Sequence, residues 1–369
     1  MKIRDVSLGY ISIPLVTPFK TALRTVNSVY DLIVRVTLES GETGYGEAPP
    51  TAVITGETRQ SIETAIREYL APAARSLTFD HPAEVWQRME KSMAKNTTAK
   101  SAMDMAVYDA WARAKGQPLF RLLGGGAEEP RTRLETDITI SVNDPDTMAR
   151  DTERAVSEGF RILKVKVGKG GEEDVRRVRR VREAAGSGAV LRIDANQGWT
   201  PEEAVRTIGM MEDAGLNPEL VEQPVSCHDF AGMQYVTVRV KTPILADESV
   251  FAPEDAERLI REKGADWINI KLMKTGGITP ALKICEMAEQ HGVACMMGCM
   301  LESAVSVSAG AHLAAARSVI RMCDLDGPSL CAENPYQGGP LYRGPWIDLP
   351  ETPGIGITGM PVNFESIGE

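Results

Sequence analysis

The stretch Val190-Leu191-Arg192-Ile193-Asp194-Ala195 is a short run of apolar, β-branched residues that ends on an acid. Seven further runs share its form: Thr136–Val142, Ile162–Val167, Leu220–Gln223, Ile244–Asp247, Trp267–Leu272, Val293–Met297 and Ile320–Leu325. Amphipathic helical patterns fill the gaps between them. A polar residue or glycine stands at the carboxyl end of most runs: Lys166, Asp194, Glu222, Asp247, Lys271, Gly298 and Asp324, at intervals of 28, 28, 25, 24, 27 and 26 residues. A regular strand–helix period of that size predicts a parallel (β/α) barrel, although an open doubly wound sheet gives the same alternation.

Residues 1 to about 125, before the repeat, read as a smaller α+β unit. Leu32, Val34, Val36 and Leu38 alternate with Ile33, Arg35, Thr37 and Glu39, which is the period of a strand. Ser40 to Gly44 supplies a turn to a partner strand around Tyr45. Helical patterns follow near 57–73, 82–94 and 98–115, the last dense in alanine. Gly124-Gly125-Gly126 marks a boundary. Beyond Cys331 the chain is rich in Gly and Pro with short strands (Trp346–Leu349) and is expected to return to the N-terminal unit. The expected division is therefore a capping unit, 1–125 completed by 332–369, and a barrel over 126–331.

Composition narrows the function classes. The 369 residues are 43% apolar and 25% charged, a globular mix that excludes a disordered or fibrous chain. Fifty-one acidic side chains against 41 basic ones give a net charge of −10, which argues against nucleic acid as a partner. MKIRDVSLGYISIPL lacks the apolar block of a signal peptide, and the weakly charged stretch Val293–Ala316 carries Glu302 and His312, so no membrane span is expected. Six cysteines without a CxxC pair fit reduced thiols in a cytoplasmic protein. Arg176, Arg177, Arg179, Arg180 and Arg182 lie opposite the stripe Val175, Val178, Val181 and read as the solvated face of a barrel helix. Met296, Met297 and Met300 read as core filling. His81, His228, His291 and His312 show no metal spacing.

In a barrel, the carboxyl ends of the strands converge on one face. Asp194, Glu222 and Asp247 fall on three consecutive strands, and three carboxylates brought together need a cation; hard oxygen ligands suit Mg²⁺. Each acid could instead be an ordinary strand-end cap. Lys164 and Lys166 are i, i+2 on strand two and share a face; Lys271 lies on strand six, across the barrel. Two lysines facing each other across a metal-bound substrate form an acid/base pair, with the pKa of Lys166 expected to be lowered by the metal and by Lys164. The same side chains could also form a structural ion-pair network.

The stretches Leu163-Lys164-Val165-Lys166, Asp194-Ala195-Asn196-Gln197-Gly198-Trp199, Val221-Glu222-Gln223-Pro224, Ala246-Asp247-Glu248-Ser249 and Asn269-Ile270-Lys271-Leu272-Met273-Lys274 resemble the enolase superfamily, in its muconate-lactonizing-like subgroup. The resemblance covers essentially the whole chain. It implies an α/β fold, a modified TIM barrel (β/α)₇β with an N-terminal α+β capping domain. It also implies Mg²⁺ that binds a substrate carboxylate and stabilises the enediolate left when the α-proton goes. Asp324-Leu325-Asp326 looks like the DxD motif of dipeptide epimerases, whose substrates carry a free ammonium. Pro18–Val26, with Gly46–Pro50 and Val53–Gly56, is similar to the capping loops of the L-Ala-D/L-Glu epimerase group, in which the arginine at the position of Arg24 pairs with the glutamate side chain. Gly298 and Cys299 follow strand seven as further substrate-binding candidates, and Cys299 departs from the serine common there.

The resemblance thus implies a Mg²⁺-dependent isomerase that moves the α-proton of the C-terminal residue of a small dipeptide, L-Ala-D/L-Glu foremost, in murein peptide metabolism. Neither nucleic acid nor membrane is an expected partner, and a homo-oligomer is expected. N-acylamino acid racemases, o-succinylbenzoate synthases and muconate cycloisomerases share the lysines and acids but have no ammonium for Asp324 and Asp326. An acid-sugar dehydratase would want a histidine near strand seven, where Gly298 and Cys299 stand. A non-catalytic barrel that binds small molecules is the alternative from another class.

Overall fold

The computed structural model describes residues 1–21, 24–124 and 129–368. Ala22 and Leu23 of the expected capping loop, and Gly125 and Gly126 of the expected boundary, lie outside the described residues. Strands β1 (Ile3–Lys20) and β2 (Thr25–Leu38) form one long antiparallel hairpin, and β3 (Thr43–Ala48) adds to β2. The residues around Arg24 are therefore not a free loop but a hairpin tip, with Phe19 paired to Val26 and Lys20 to Thr25. Leu32, Ile33, Val34, Val36 and Leu38 are all buried, so the sheet is covered on both faces in this stretch, which simple alternation did not anticipate.

Helix Thr97–Ala114 explains its own alanines. A Cβ on Gly44 would sit 2.1 Å from the Ala106 carbonyl oxygen, and one on Gly46 would sit 1.9 Å from that of Ala102. Helix and strand backbones meet directly, and only Gly against Ala permits that approach.

The barrel is entered through β4 (Arg133–Glu135) and built from β5 (Ile138–Ile140), β6 (Ile162–Lys166), β7 (Val190–Asp194), β8 (Pro218–Glu222), β9 (Ile244–Ala246), β10 (Trp267–Ile270), β11 (Cys295–Gly298) and β12 (Ile320–Asp324). β5 to β12 are parallel neighbours in chain order. A parallel bridge between Thr136 and Cys323 joins the two ends of this sheet, and the Asp137 N–H donates to the Cys323 carbonyl at 3.3 Å. The sheet is closed, which excludes the open doubly wound alternative. Seven helical connections link the eight strands, and none returns after β12. The last segments go to two places. Trp346–Asp348 pairs with β4 beneath the barrel, and Glu365–Ser366 pairs with β1.

Leu220, Leu245, Met296 and Met322 form a separate apolar layer inside the barrel. Met296 and Met297 are core, as expected, but Met300 lines the cavity at the barrel mouth. Among the arginines of helix Gly171–Ala185, Arg177 and Arg182 do not simply face solvent: they donate to the carbonyls of Asn143 and Leu216 and staple the neighbouring connections. His312 is buried, with Nδ1 accepting from the Phe120 N–H, and His81 Nδ1 accepts the Ala83 N–H at a helix start. All six cysteines are unpaired. No described helix is long and apolar enough to cross a membrane.

Candidate active site

Strand alternation sends Lys164 and Lys166 of β6 inward together. Lys164 Nζ lies 2.6 Å from Asp324, 2.7 Å from Glu222 and 3.2 Å from Asp194. Lys166 Nζ lies 2.6 Å from Asp194. Lys271 follows β10 directly, 2.7 Å from Asp247. β6 and β10 are four places apart in a closed sheet of eight, hence diametrically opposite, with the acid-bearing β7, β8 and β9 between them. The sequence-predicted lysines and acids are all brought together, and all are buried.

Fixed partners hold the acids. The Asn196 N–H donates to Asp194 Oδ1 at 2.8 Å, and Asn269 Nδ2 donates to Glu222 Oε1 at 2.8 Å. Gln223 Oε1 accepts the N–H groups of Asp247 and Ser249. Lys274 Nζ sits 2.7 Å from Asp247 Oδ1 and donates to the carbonyls of Asp247 and Asn269. Asn269, Gln223 and Lys274 stood in the quoted motifs without an assigned role; their signal was proximity in sequence to a ligand-type acid. Gly298 also has a different role from the one expected. A Cβ there would meet Asn269 Oδ1 at 2.5 Å and Lys271 Cε at 2.9 Å. Its missing side chain clears a path for Lys271.

The electrostatics are those of a compact ion-pair network. Burial raises the pKa of Asp194, but Lys166, Lys164 and Lys271 outweigh it and hold the carboxyl at about 2. Burial and the neighbouring Asp194 push Glu222 up to about 7. Burial works against the charge of Lys164 and of Lys271, yet their carboxylate neighbours hold both ammonium groups well above the ordinary lysine range. Each of the two pairs with acids that a metal ion would otherwise neutralise.

The acids fit a divalent ion. Glu222 Oε2 and Asp247 Oδ1 are buried oxygens that no hydrogen bond satisfies, although an ammonium lies 2.7 Å from each. Charge meets charge there without directional bonding, which leaves lone pairs to offer a hard cation.

A second acid group lies beside the first. One carboxylate oxygen each from Asp137, Asp324 and Asp326 fall within 4.8 Å of one another. Asp137 precedes the first barrel strand and was missed in the sequence. Asp326 reaches the group by a turn, not by strand alternation: its backbone is helical (φ −84°, ψ −5°), and its carboxylate accepts the Thr139 N–H at 2.7 Å. Arg192 lies 2.9 Å from Asp137, and Lys164 already pairs with Asp324. Both cations are shared, Lys164 with Glu222 and Asp194 and Arg192 with Glu219, so the three carboxylates keep an excess of negative charge that suits a cation such as an ammonium.

Above both acid groups, a cavity is lined by Lys164, Lys166, Asp247, Lys271, Asp324 and Asp326 together with Phe19, Arg24, Ile54, Cys299, Met300 and Leu301. Arg24 is partly buried; burial lowers its pKa, opposed by Asp31. Burial raises the Cys299 thiol well above its ordinary range, so it faces the cavity as a neutral group.

Residues 6–124 match the family described as mandelate racemase / muconate lactonizing enzyme, N-terminal domain, and residues 147–361 match the enolase C-terminal domain-like family. An L-Ala-D/L-Glu epimerase of Clostridium acetobutylicum is 47% identical over 360 residues, covering 98% of this chain and 99% of that one. The solved substrate-liganded complex of the L-Ala-D/L-Glu epimerase from Bacillus subtilis superposes with a TM-score of 0.95 at 47% identity, covering 98% and 99%. The dipeptide epimerase from Enterococcus faecalis, solved with Mg and the dipeptide L-Leu-L-Tyr, superposes with a TM-score of 0.92 at 41% identity, covering 97% and 100%. With matching family domains over both the cap and the barrel, this chain belongs to the enolase superfamily, in its mandelate racemase and muconate-lactonizing branch.

Proposed function

We propose that the chain is a Mg²⁺-dependent dipeptide epimerase that inverts the α-carbon of the C-terminal residue, with L-Ala-D/L-Glu as its foremost substrate. One observation carries the reading: Lys166 and Lys271 stand on opposite sides of the barrel with three carboxylates between them, beside a second group of three carboxylates. Asp194, Glu222 and Asp247 would hold the Mg²⁺, which when bound supplies the positive charge that stabilises an enediolate. The substrate ammonium fits the excess negative charge at Asp324, Asp326 and Asp137. One lysine removes the α-proton from its face, and the other delivers a proton to the opposite face. Lys164, between Asp324 and Glu222, couples the ammonium end to the carboxylate end. Arg24 faces the side chain of the second residue, and Cys299 shapes the far wall.

An acylated amino acid would leave the residual negative charge at Asp324 and Asp326 unpaired, which disfavours the racemase and cycloisomerase readings. We take 1–125 as the capping unit and 126–331 as the barrel, with 332–369 shared between them, since Trp346–Asp348 pairs with β4 and Glu365–Ser366 with β1. The unpaired cysteines suit a reducing cytoplasm, and exposed Tyr10, Val16 and Tyr30 on the hairpin offer a face for a second copy. L-Ala-L-Glu incubated in D₂O with enzyme and Mg²⁺ should gain one deuterium at the glutamate α-carbon and accumulate L-Ala-D-Glu. Chelator-stripped enzyme should do neither and stay folded. Undiminished turnover without metal would overturn the mechanism.

A further inference from the structure

The turn that carries Lys271 is gripped by the capping unit. Lys271 opens a single helical turn, with the N–H groups of Lys274 and Thr275 donating back to its carbonyl at 3.0 and 3.1 Å. Two glycines then join this turn to helix Ile278–His291, and both have positive φ, +86° at Gly276 and +121° at Gly277. That helix begins at Gly277, which has no side chain to cap it. The missing cap comes from Asp104 on helix Thr97–Ala114 of the capping unit. Asp104 Oδ2 accepts the Thr279 N–H at 2.9 Å, and Oδ1 accepts the Thr279 hydroxyl at 3.0 Å. A Cβ on Gly277 would lie 2.4 Å from Asp104 Oδ2, so the carboxylate is pressed against the glycine itself. From helix Pro82–Ser92, the Trp86 indole donates to the Gly276 carbonyl at 2.9 Å. Both contacts are made more than 165 residues along the chain from the turn they hold.

We infer that Asp104, assisted by Trp86, is a positioning residue for Lys271, so that the capping unit fixes where one of the two bases stands. The inference rests on the reading of Lys166 and Lys271 as opposed bases. The physical reason is that an orphaned helix start frays by about one turn, and here the turn in front of it bears the base. Lys166 ends its strand and is followed by a glycine joint of its own, at Gly168 and Gly170, but that joint is held by Asp174 within the barrel, so Lys166 should not feel the change.

The test reads the two faces separately. L-Ala-L-Glu and L-Ala-D-Glu are each incubated in D₂O with the Mg²⁺ enzyme, and initial α-deuterium incorporation is followed by NMR. Lys271→Ala identifies the epimer that Lys271 serves, as the one whose exchange is lost. Asp104→Ala should then slow exchange into that same epimer by roughly 10- to 100-fold, with the other epimer within about threefold of wild type. Asp104→Asn, which keeps one acceptor oxygen, should recover part of the loss. Trp86→Phe, which removes only the donor, should show a selective loss of about 2- to 10-fold. If Asp104→Ala does not fold, these two variants carry the same criterion. Equal loss on both epimers, or no loss in a folded variant, overturns the inference while leaving the bases intact. If Lys271→Ala itself abolishes exchange into both epimers equally, the two-base reading falls and takes the inference with it.

Discussion

Lys166 and Lys271 flank the same carboxylates, but the backbone that follows each is held by a different part of the molecule. After Lys166, the Asp174 carboxylate accepts the N–H groups of Gly168, Lys169 and Gly170 at 3.0–3.1 Å, and the Trp199 indole N–H at 3.0 Å. Asp174 belongs to the helix of that same strand–helix unit, and Trp199 to the next one. After Lys271, the corresponding support comes from Trp86 and Asp104 of the capping unit. The segment after Lys166 is therefore held from within the barrel, and the segment after Lys271 from across the joint between two units. On the Lys166 side the capping unit contributes something else. The hairpin tip brings Phe19 to 5.9 Å from Lys166 Nζ, and it docks through the Lys20 N–H on Ser141 Oγ and the Val142 N–H on the Lys20 carbonyl. There the cap lines the cavity; on the other side it grips the turn that carries Lys271.

The largest effect that could break this comparison is loss of either base. Lys166→Ala and Lys271→Ala should each lower epimerisation by at least about 10²- to 10⁴-fold, the range expected for a proton-transfer group. Each variant should keep solvent exchange into one epimer only, and the two should keep opposite ones. Epimerisation near wild-type rates in both variants would mean that the lysines merely balance buried acids, and the distinction between their supports would lose its functional meaning.

A smaller effect sharpens it. Asp174→Ala removes the acceptor for three consecutive N–H groups beside Lys166, and it should be the mirror image of Asp104→Ala. Exchange into the epimer served by Lys166 should fall by roughly 10- to 100-fold, with the Lys271 face spared. Deuterium incorporation into each epimer, measured on both variants side by side, checks this. If Asp174→Ala instead slowed both faces alike, its loop would be supporting the barrel mouth as a whole.

The same contrast accounts for what could be read in the sequence. The barrel was legible because each strand is an apolar run with a polar or glycine terminus, and the interval is nearly constant; the closed sheet bears out that period. The acids and lysines were legible for the same reason, since strand ends share one face. Contacts between units left no local trace. Asp104 lies within an alanine-rich helix and resembles any polar residue on a packed helix until the fold brings Gly277 onto it. Asp137 stands near the amino end of the expected run Thr136–Val142, whereas candidates were sought at the carboxyl ends. Asp326 was marked only by the DxD resemblance, because alternation ends when the backbone turns at the strand terminus. Gly298 looked like a binding residue, whereas its Cβ position belongs to Asn269 and Lys271.

The smallest expected effect concerns the hairpin tip, and it tests whether the cap on the Lys166 side reads substrate without steering a base. Arg24 lines the cavity from a position flanked by the Phe19–Val26 and Lys20–Thr25 pairs, and its backbone is tied to Thr21 by the N–H of each residue. Truncation to Arg24→Ala should leave this backbone in place and remove only the guanidinium. A glutamate side chain would then lose a charge-assisted partner, a cost of about 1.5–3 kcal/mol, or roughly 10- to 150-fold in kcat/KM for Ala-Glu. Ala-Leu, which has no carboxylate to offer, should change little. Because substrate contact at the hairpin tip is not support of either base, the loss on Ala-Glu should also be the same for both epimers, in contrast to the face-selective losses at Asp104 and Asp174. The measurement is kcat/KM for both dipeptides, with α-deuterium exchange for each Ala-Glu epimer. Equal losses on Ala-Glu and Ala-Leu would mean that Arg24 braces the tip. A loss confined to the Lys166 epimer would mean that the tip positions that lysine through Phe19. In either case the dipeptide chemistry would stand and the glutamate preference would pass to other groups lining the cavity, with Cys299 first among them.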